Sequence, residues 1–258
     1  MSEEKKVVKK AVEKAEKVAD PVAATIDPAS QQMIRRAQEL KIDTCFDRAV
    51  KMKPCNIGAT GICCKNCGMG PCRLTLPKDY DEATDIQTRK GICGASANTV
   101  AARNFIRMIA GGAAAHSDHG RGVAELFISA AKGEAPGYEI RDEQKLLALA
   151  LEWGVNIGDR TNSEIAVDIG EKALAEFGRQ EGEILFLKRA PLKRQEVWRK
   201  QGVAPRGIDR EIVEVMHRTH IGVDQDYQNL LKQGTRAAVG CLLYTSPSPR
   251  DLSTSRMP

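Results

Sequence analysis

A chain of 258 residues with 42% hydrophobic content is long enough to bury a core, as one large domain or two small ones. With only 4% aromatic residues, that core has to be built mainly from Ala, Leu, Ile and Val. The net charge of +5 is mild, and its Lys and Arg residues are dispersed, which argues against a nucleic-acid partner.

Residues 1–26 form a charged, Ala-rich tail whose run from Lys5 to Lys17 alternates with Glu and Ala, the pattern of a solvated helix or frayed end. No apolar run of about 7–15 residues follows these lysines as a secretory signal requires. No stretch approaches the roughly 20 apolar residues of a membrane span. The expectation is a cytoplasmic protein without a membrane span, in a compartment that disfavours structural disulfides. Asp27-Pro28 reads as an N-cap with Pro at the first helical position, opening an N-terminal helix within residues 27–54 with Met33, Ala37 and Leu40 on its apolar face. From Lys53 to Gly94 the sequence turns to Gly, Pro and Cys without periodicity. A loop of about 40 residues is uncommon unless something else organises it.

Helical signals return over residues 95–240. Ser96 or Asn98 caps a helix carrying Val100, Phe105, Ile106 and Ile109, with an interruption expected at Gly111-Gly112. Asp142 opens a second with Leu146, Leu147 and Leu151. Asn162 or Ser163 opens a third with Ile165, Ile169, Ala173 and Phe177, closed by Gly178. Further helices are expected around 195–200, 209–217 and from Asp224 through Leu231. Strand-type alternation is scarce. The fold class is therefore mainly α, a helical domain with a cysteine-rich loop (residues 55–94) inserted near its start. The segment from Cys241 to Asp251 has no periodicity, and the transposase adapter codons TGT CTC TTA TAC ACA TCT translate to residues 241–246. Residues 241–258 are read on that ground as a sequencing-adapter artefact, and Cys241 is not counted as a ligand.

Six of the eight cysteines, Cys55, Cys63, Cys64, Cys67, Cys72 and Cys93, fall in the loop. The core pattern C-C-x2-C-x4-C, with Cys93 in Gly91-Ile92-Cys93-Gly94, lets one loop wrap a multi-iron cluster, and Gly61, Gly68, Gly70 and Gly94 relieve crowding around it. Adjacent Cys63 and Cys64 point apart and suit two clusters better than one. Cys64, Cys67, Cys72 and Cys93 then make a set of four, leaving Cys55 and Cys63. Such a pair holds a cluster only if a two-fold axis brings a second pair to it, which implies a homodimer. Zinc remains an alternative for Cys64 and Cys67, but it leaves Cys55 and Cys63 unexplained and lacks a second short knuckle. Cys45, at a helix end, is expected to be an ordinary buried thiol.

The stretch Asp27–Gly94, with Ala113-Ala114-Ala115-His116-Ser117-Asp118-His119-Gly120 and Arg206-Gly207-Ile208-Asp209-Arg210-Glu211-Ile212-Val213, resembles the N-terminal region of anaerobic nickel–iron–sulfur carbon monoxide dehydrogenases. So does Met216-His217-Arg218-Thr219-His220. The resemblance implies a homodimer with a [4Fe–4S] cluster shared between subunits on Cys55 and Cys63. It implies a second [4Fe–4S] cluster in each subunit on Cys64, Cys67, Cys72 and Cys93. It also assigns His116 to proton transfer beside the nickel site, a task suited to imidazole, which titrates near neutrality. His119 matches the next histidine of the family's row, but Gly122 and Glu125 stand at the following two steps, so the row is shortened. His217 and His220 are read as structural.

The same resemblance implies a parent enzyme that oxidises CO with water to CO2. Its electrons pass to a ferredoxin-like acceptor, with acetyl-CoA synthase as a possible associate. The Ni–Fe–S cluster belongs to the full-length parent only. Its ligands and the following Rossmann-like α/β domains lie beyond this chain, so the fragment alone is expected to be inactive. A hybrid-cluster (hydroxylamine reductase) type enzyme and a non-enzymatic iron–sulfur or zinc module are the competing readings.

Overall fold

The computed structural model describes residues 22, 25–52, 55–75 and 86–244. The Lys-rich run and most of the 1–26 tail lie outside the described residues, as does the segment after Tyr244. The chain divides into two compact units, residues 1–59 and 60–258, with the boundary inside the cysteine-rich loop.

In the first unit, α1 (Pro28–Glu39) begins as its sequence dictates: the Asp27 carboxylate accepts from the Ser30 amide at 2.7 Å, and Pro28 occupies the first helical position. The helix closes when Lys41 adopts a positive φ of 55° and the Ile42 amide reaches back to the Ala37 carbonyl at 2.9 Å. A new helix, α2 (Cys45–Lys51), then starts from a capping box in which Thr44 and Asp47 satisfy each other's backbone amides. This corrects the expectation for Cys45. It stands at the start of a second helix, not the end of the first, and its thiol is exposed. Met33 of α1 and its C-cap residue Leu40 are likewise exposed. A single turn, α3 (Asn56–Ala59), follows Cys55.

The second unit is mainly helical. Two short strands, β1 (Cys63–Cys64) and β2 (Cys72–Arg73), pair antiparallel with Cys64 opposite Cys72. After a 3-10 turn at Ile86–Thr88 comes α4 (Ala97–Ala131), the spine of the unit. Ser96 caps it, as expected, but the break at Gly111-Gly112 does not occur and the helix runs for 35 residues. The flanking Ala110 and Ala113 are buried against neighbouring helices, and that packing outweighs the roughly 1 kcal/mol that each interior glycine costs.

Against the spine pack α6 (Asn162–Phe177), α8 (Ile208–Arg218) and α9 (Tyr227–Tyr244); α5 (Glu143–Trp153) packs on α6, and α7 (Leu192–Gln201) lies against a 3-10 turn at Leu185–Arg189. Asp142 caps α5 as read from the sequence. The cap of α6 is Thr161, one residue before the expected pair, in a capping box with Glu164. The helix α9 begins at Tyr227, where Asp226 accepts the Gln228 amide at 2.8 Å, and it runs through Cys241, so that cysteine continues a helix where a break in pattern was expected.

Three apolar centres form. Ala102, Ile106 and Ala110 of α4 meet Val215 of α8 and Leu230 and Ala237 of α9. Leu146, Ala150 and Trp153 of α5 pack on Ile165, Ala166 and Ile169 of α6, with Phe186 edge-on to Trp153 at 5.2 Å. The third centre, Leu74, Ala95, Ala97 and Val100, includes the Cys64 side chain and sits where the cysteine loop lies on the start of α4.

Candidate metal centre

The hairpin decides how the cysteines are distributed. Successive side chains on a strand face opposite ways. Cys64 is buried at 7% exposure on the side of Leu74 and Val100, while Cys63 is only partly covered. Asn104 of α4 fixes this orientation by donating to the carbonyls of Gly61 at 2.8 Å and Cys63 at 3.1 Å. Between the strands the chain turns tightly at Gly70, where an added Cβ would lie 3.0 Å from the Cys64 carbonyl oxygen, so only hydrogen fits without displacement. On the far side, Gly94 takes φ +85° directly after Cys93, a left-handed conformation that glycine adopts without strain.

These turns bring Cys64, Cys67, Cys72 and Cys93 to the wall of one small pocket that is partly open to solvent. Cys63 is not part of that wall, and Cys55 belongs to the first unit, where its sulfur accepts from the Gly58 amide at 3.4 Å. None of the six is in a disulfide. Among the described residues no three His, Cys, Asp or Glu side chains are placed to hold one metal ion.

Donors are arranged around the same wall. The Ile92 amide donates to Cys72 Sγ at 3.5 Å. Arg103, buried to 1% exposure, donates from Nη1 to Cys93 Sγ at 3.4 Å and from Nη2 to the Asp224 carbonyl at 2.6 Å. Gln225 holds the Cys93 carbonyl at 2.8 Å, and Thr99 holds the Gln225 carbonyl at 2.7 Å. Burial opposes ionisation of Cys93. Hydrogen bonds from Arg103 and the Ala95 amide, with the Arg103 charge and Gln225, outweigh it and hold the thiol below its ordinary value.

Among the described residues, two buried donors on this wall, Asn66 Nδ2 and Arg103 Nε, have no partner. Buried donors are seldom left unpaired. Four thiols lining one pocket together with two buried donors fit a sulfide-containing cluster.

Arg103, Asn66 and Gln225 were not singled out by sequence reasoning. A signal for Arg103 existed: it stands three residues from both Val100 and Ile106, a charge in the middle of an apolar helical stripe. Asn66 and Gln225 carry no comparable signal.

His116 and His119 lie on α4 with exposed side chains. His116 is 13 residues beyond Arg103, or about 20 Å along the helix axis at 1.5 Å per residue, so it does not join the cysteine site. His217 and His220 are also exposed. Two other stretches singled out in the sequence do meet: Ser117 donates to Asp209 at 2.6 Å and Arg121 pairs with the same carboxylate at 2.7 Å, tying α4 to the start of α8.

The Prismane/CO dehydrogenase family model matches residues 62–255, a span that runs into the segment read as adapter. The chain is 49% identical over 216 residues to carbon monoxide dehydrogenase 1 of Methanosarcina acetivorans, covering 83% of this chain and 33% of that protein. It is 40% identical over 219 residues to the beta subunit of carbon monoxide dehydrogenase/acetyl-CoA synthase of Moorella thermoacetica, covering 83% and 32%. Among solved structures, the as-isolated nickel-free carbon monoxide dehydrogenase of Thermococcus sp. AM4 superposes with a TM-score of 0.74 at 40% identity, over 89% of this chain and 36% of that one. An acetyl-CoA synthase/carbon monoxide dehydrogenase described with NiZn[Fe4S4] and NiNi[Fe4S4] clusters gives 0.73 at 38% identity, over 88% and 33%. The chain thus spans about a third of the length of the relatives it matches. With the family model covering most of its residues and the helical fold shared with these enzymes, the chain belongs to the Prismane/CO dehydrogenase family.

Proposed function

We propose that this chain is the electron-exit portion of an anaerobic carbon monoxide dehydrogenase that converts CO and water to CO2, two protons and two electrons. Cys64, Cys67, Cys72 and Cys93 would hold a [4Fe–4S] cluster, which when bound supplies one-electron transfer. Cys55 and Cys63, by the sequence resemblance, would hold a second [4Fe–4S] cluster together with the same pair of another copy. The nickel-containing centre belongs to the longer parent enzyme. By the same resemblance, His116 serves proton transfer there, a ferredoxin-like protein accepts the electrons, and the cytoplasm is the compartment. An acetyl-CoA synthase associate is supported by the names of two relatives that combine the two activities. The chain by itself is expected not to oxidise CO.

The observation that carries this reading is the convergence of four thiols and two unpartnered buried donors on one cavity. The test is anaerobic reconstitution of the chain with iron and sulfide, together with sedimentation. About six irons per chain in a dimer are expected, four plus half of a shared four. Cys64→Ser is expected to remove about four irons per chain and Cys63→Ser about two. Tightly bound zinc in a monomer, without acid-labile sulfide, would overturn the reading.

A further inference from the structure

Among the described residues, buried Arg103 has no carboxylate partner. A guanidinium keeps its proton under all ordinary conditions, and a buried charge is costly unless something of opposite sign compensates it. The nearest acidic residue in its contacts is Asp224, yet Asp224 offers only its carbonyl; its carboxylate is taken by Arg218 at 2.9 Å. What Arg103 does face is sulfur, Cys93 Sγ at 3.4 Å, with Nε unpartnered at the cavity wall. The counter-charge for this arginine is therefore supplied by whatever the four cysteines hold as thiolates.

We propose that Arg103 is a positioning residue that sets the reduction potential of the group held by Cys64, Cys67, Cys72 and Cys93. The inference rests on the reading of those four cysteines as ligands of a [4Fe–4S] cluster. With four thiolates, the oxidised cluster and its ligands carry two negative charges in total. Taking up one electron makes that three, with no bond formed or broken. A fixed cation within hydrogen-bonding reach of one ligand sulfur favours the more anionic, reduced state. The rest of the site keeps Arg103 in place: Arg218 anchors Asp224, whose carbonyl holds Nη2. Gln225 clamps the Cys93 carbonyl independently at 2.8 Å, so Cys93 retains a support when Arg103 is replaced.

The test uses the 258-residue chain in a Cys55→Ser/Cys63→Ser background, which leaves a single cluster to observe. The reconstituted protein is titrated with dithionite-reduced mediators and read by electron paramagnetic resonance. Arg103→Gln is expected to lower the reduced-to-oxidised ratio at a fixed potential about tenfold, equivalent to about 59 mV for one electron. Arg103→Lys, which keeps the charge, is expected to recover most of that loss. An unchanged ratio in an Arg103→Gln protein that retains its four irons would overturn the inference and leave the cluster reading intact.

If Arg103→Gln fails to hold iron, the unsubstituted arginine decides the matter. Nitrogen-15 arginine labelling should then give a weak nitrogen coupling to the reduced cluster, and its absence overturns the proposal. Failure of the parent chain to take up iron and sulfide overturns the cluster reading, and the role of Arg103 with it.

Discussion

Glu211, on α8, is fully buried and receives Arg206 through a two-pronged contact at 2.9 and 2.8 Å, with Gln233 of α9 donating at 2.9 Å. Glu214 also binds Arg206, and it takes Arg218 at 2.9 Å. Burial pushes both carboxyls upward. For Glu211, hydrogen bonds from Arg206 and Gln233 reverse the direction; for Glu214, those from Arg206 and Arg218 do. Both finish below the ordinary carboxylate range. Such groups add stability that is fully present above the unfolded-state value and is lost as pH falls through the folded value. Denaturation midpoints should therefore fall on acidification below the ordinary carboxylate range, and Glu211→Gln should flatten that dependence. Glu211→Ala, which strands Arg206 and Gln233, is expected to cost about 3 kcal/mol in chemical denaturation. The chain Glu214–Arg218–Asp224 ends at Arg103, so the same network that ties α8 to α9 also reaches the cysteine site.

At the scale of elements, glycines on the helices have opposite roles that their sequence does not distinguish. Around Gly112 an added Cβ would meet nothing within 4 Å, whereas at Gly234 of α9 it would lie 2.5 Å from Ile106 Cγ2 of α4. Gly112→Ala should therefore stabilise the chain by about 0.5–1 kcal/mol through helix propensity alone. Gly234→Ala should destabilise it by about 1–3 kcal/mol, because α4 and α9 must move apart. Urea denaturation of the pair is the check, and equal effects would contradict the close α4–α9 contact. The start of α6 offers a third case. Thr161→Ala removes one half of a capping box and should cost about 1 kcal/mol.

For the molecule as a whole, the described residues of the cysteine loop carry little regular structure: a single helical turn, two strands of two residues, a 3-10 turn and an apolar patch against α4. Its order is expected to depend on the group that the cysteines hold, since binding to the folded form alone adds to stability. Stripping iron with a chelator should lower the thermal midpoint and speed amide exchange across residues 62–95, with little change in α5 and α6. A loop equally protected with and without iron would show that the hairpin and its patch suffice. The chain spans about a third of its relatives' length, and among the described residues no helix is long and apolar enough to cross a membrane.

The mainly helical class, the caps at Asp27, Ser96 and Asp142, and the grouping of six cysteines were legible in the sequence because each is local. A cap is written within four residues, and ligand spacing within one loop. The assignment of Cys63 and Cys64 to different clusters stays a proposal; the structure puts Cys64 but not Cys63 on the wall of the pocket. The unbroken 35-residue spine, the exposed Cys45 thiol and the extension of α9 through Cys241 were not legible. Burial and long-range packing set these outcomes, and a local pattern does not encode them. Arg103 and Gln225 reach Cys93 from ten and 132 residues away. Only the tertiary structure, by packing α4 against the turn before α9, brings their donors to one sulfur-lined wall.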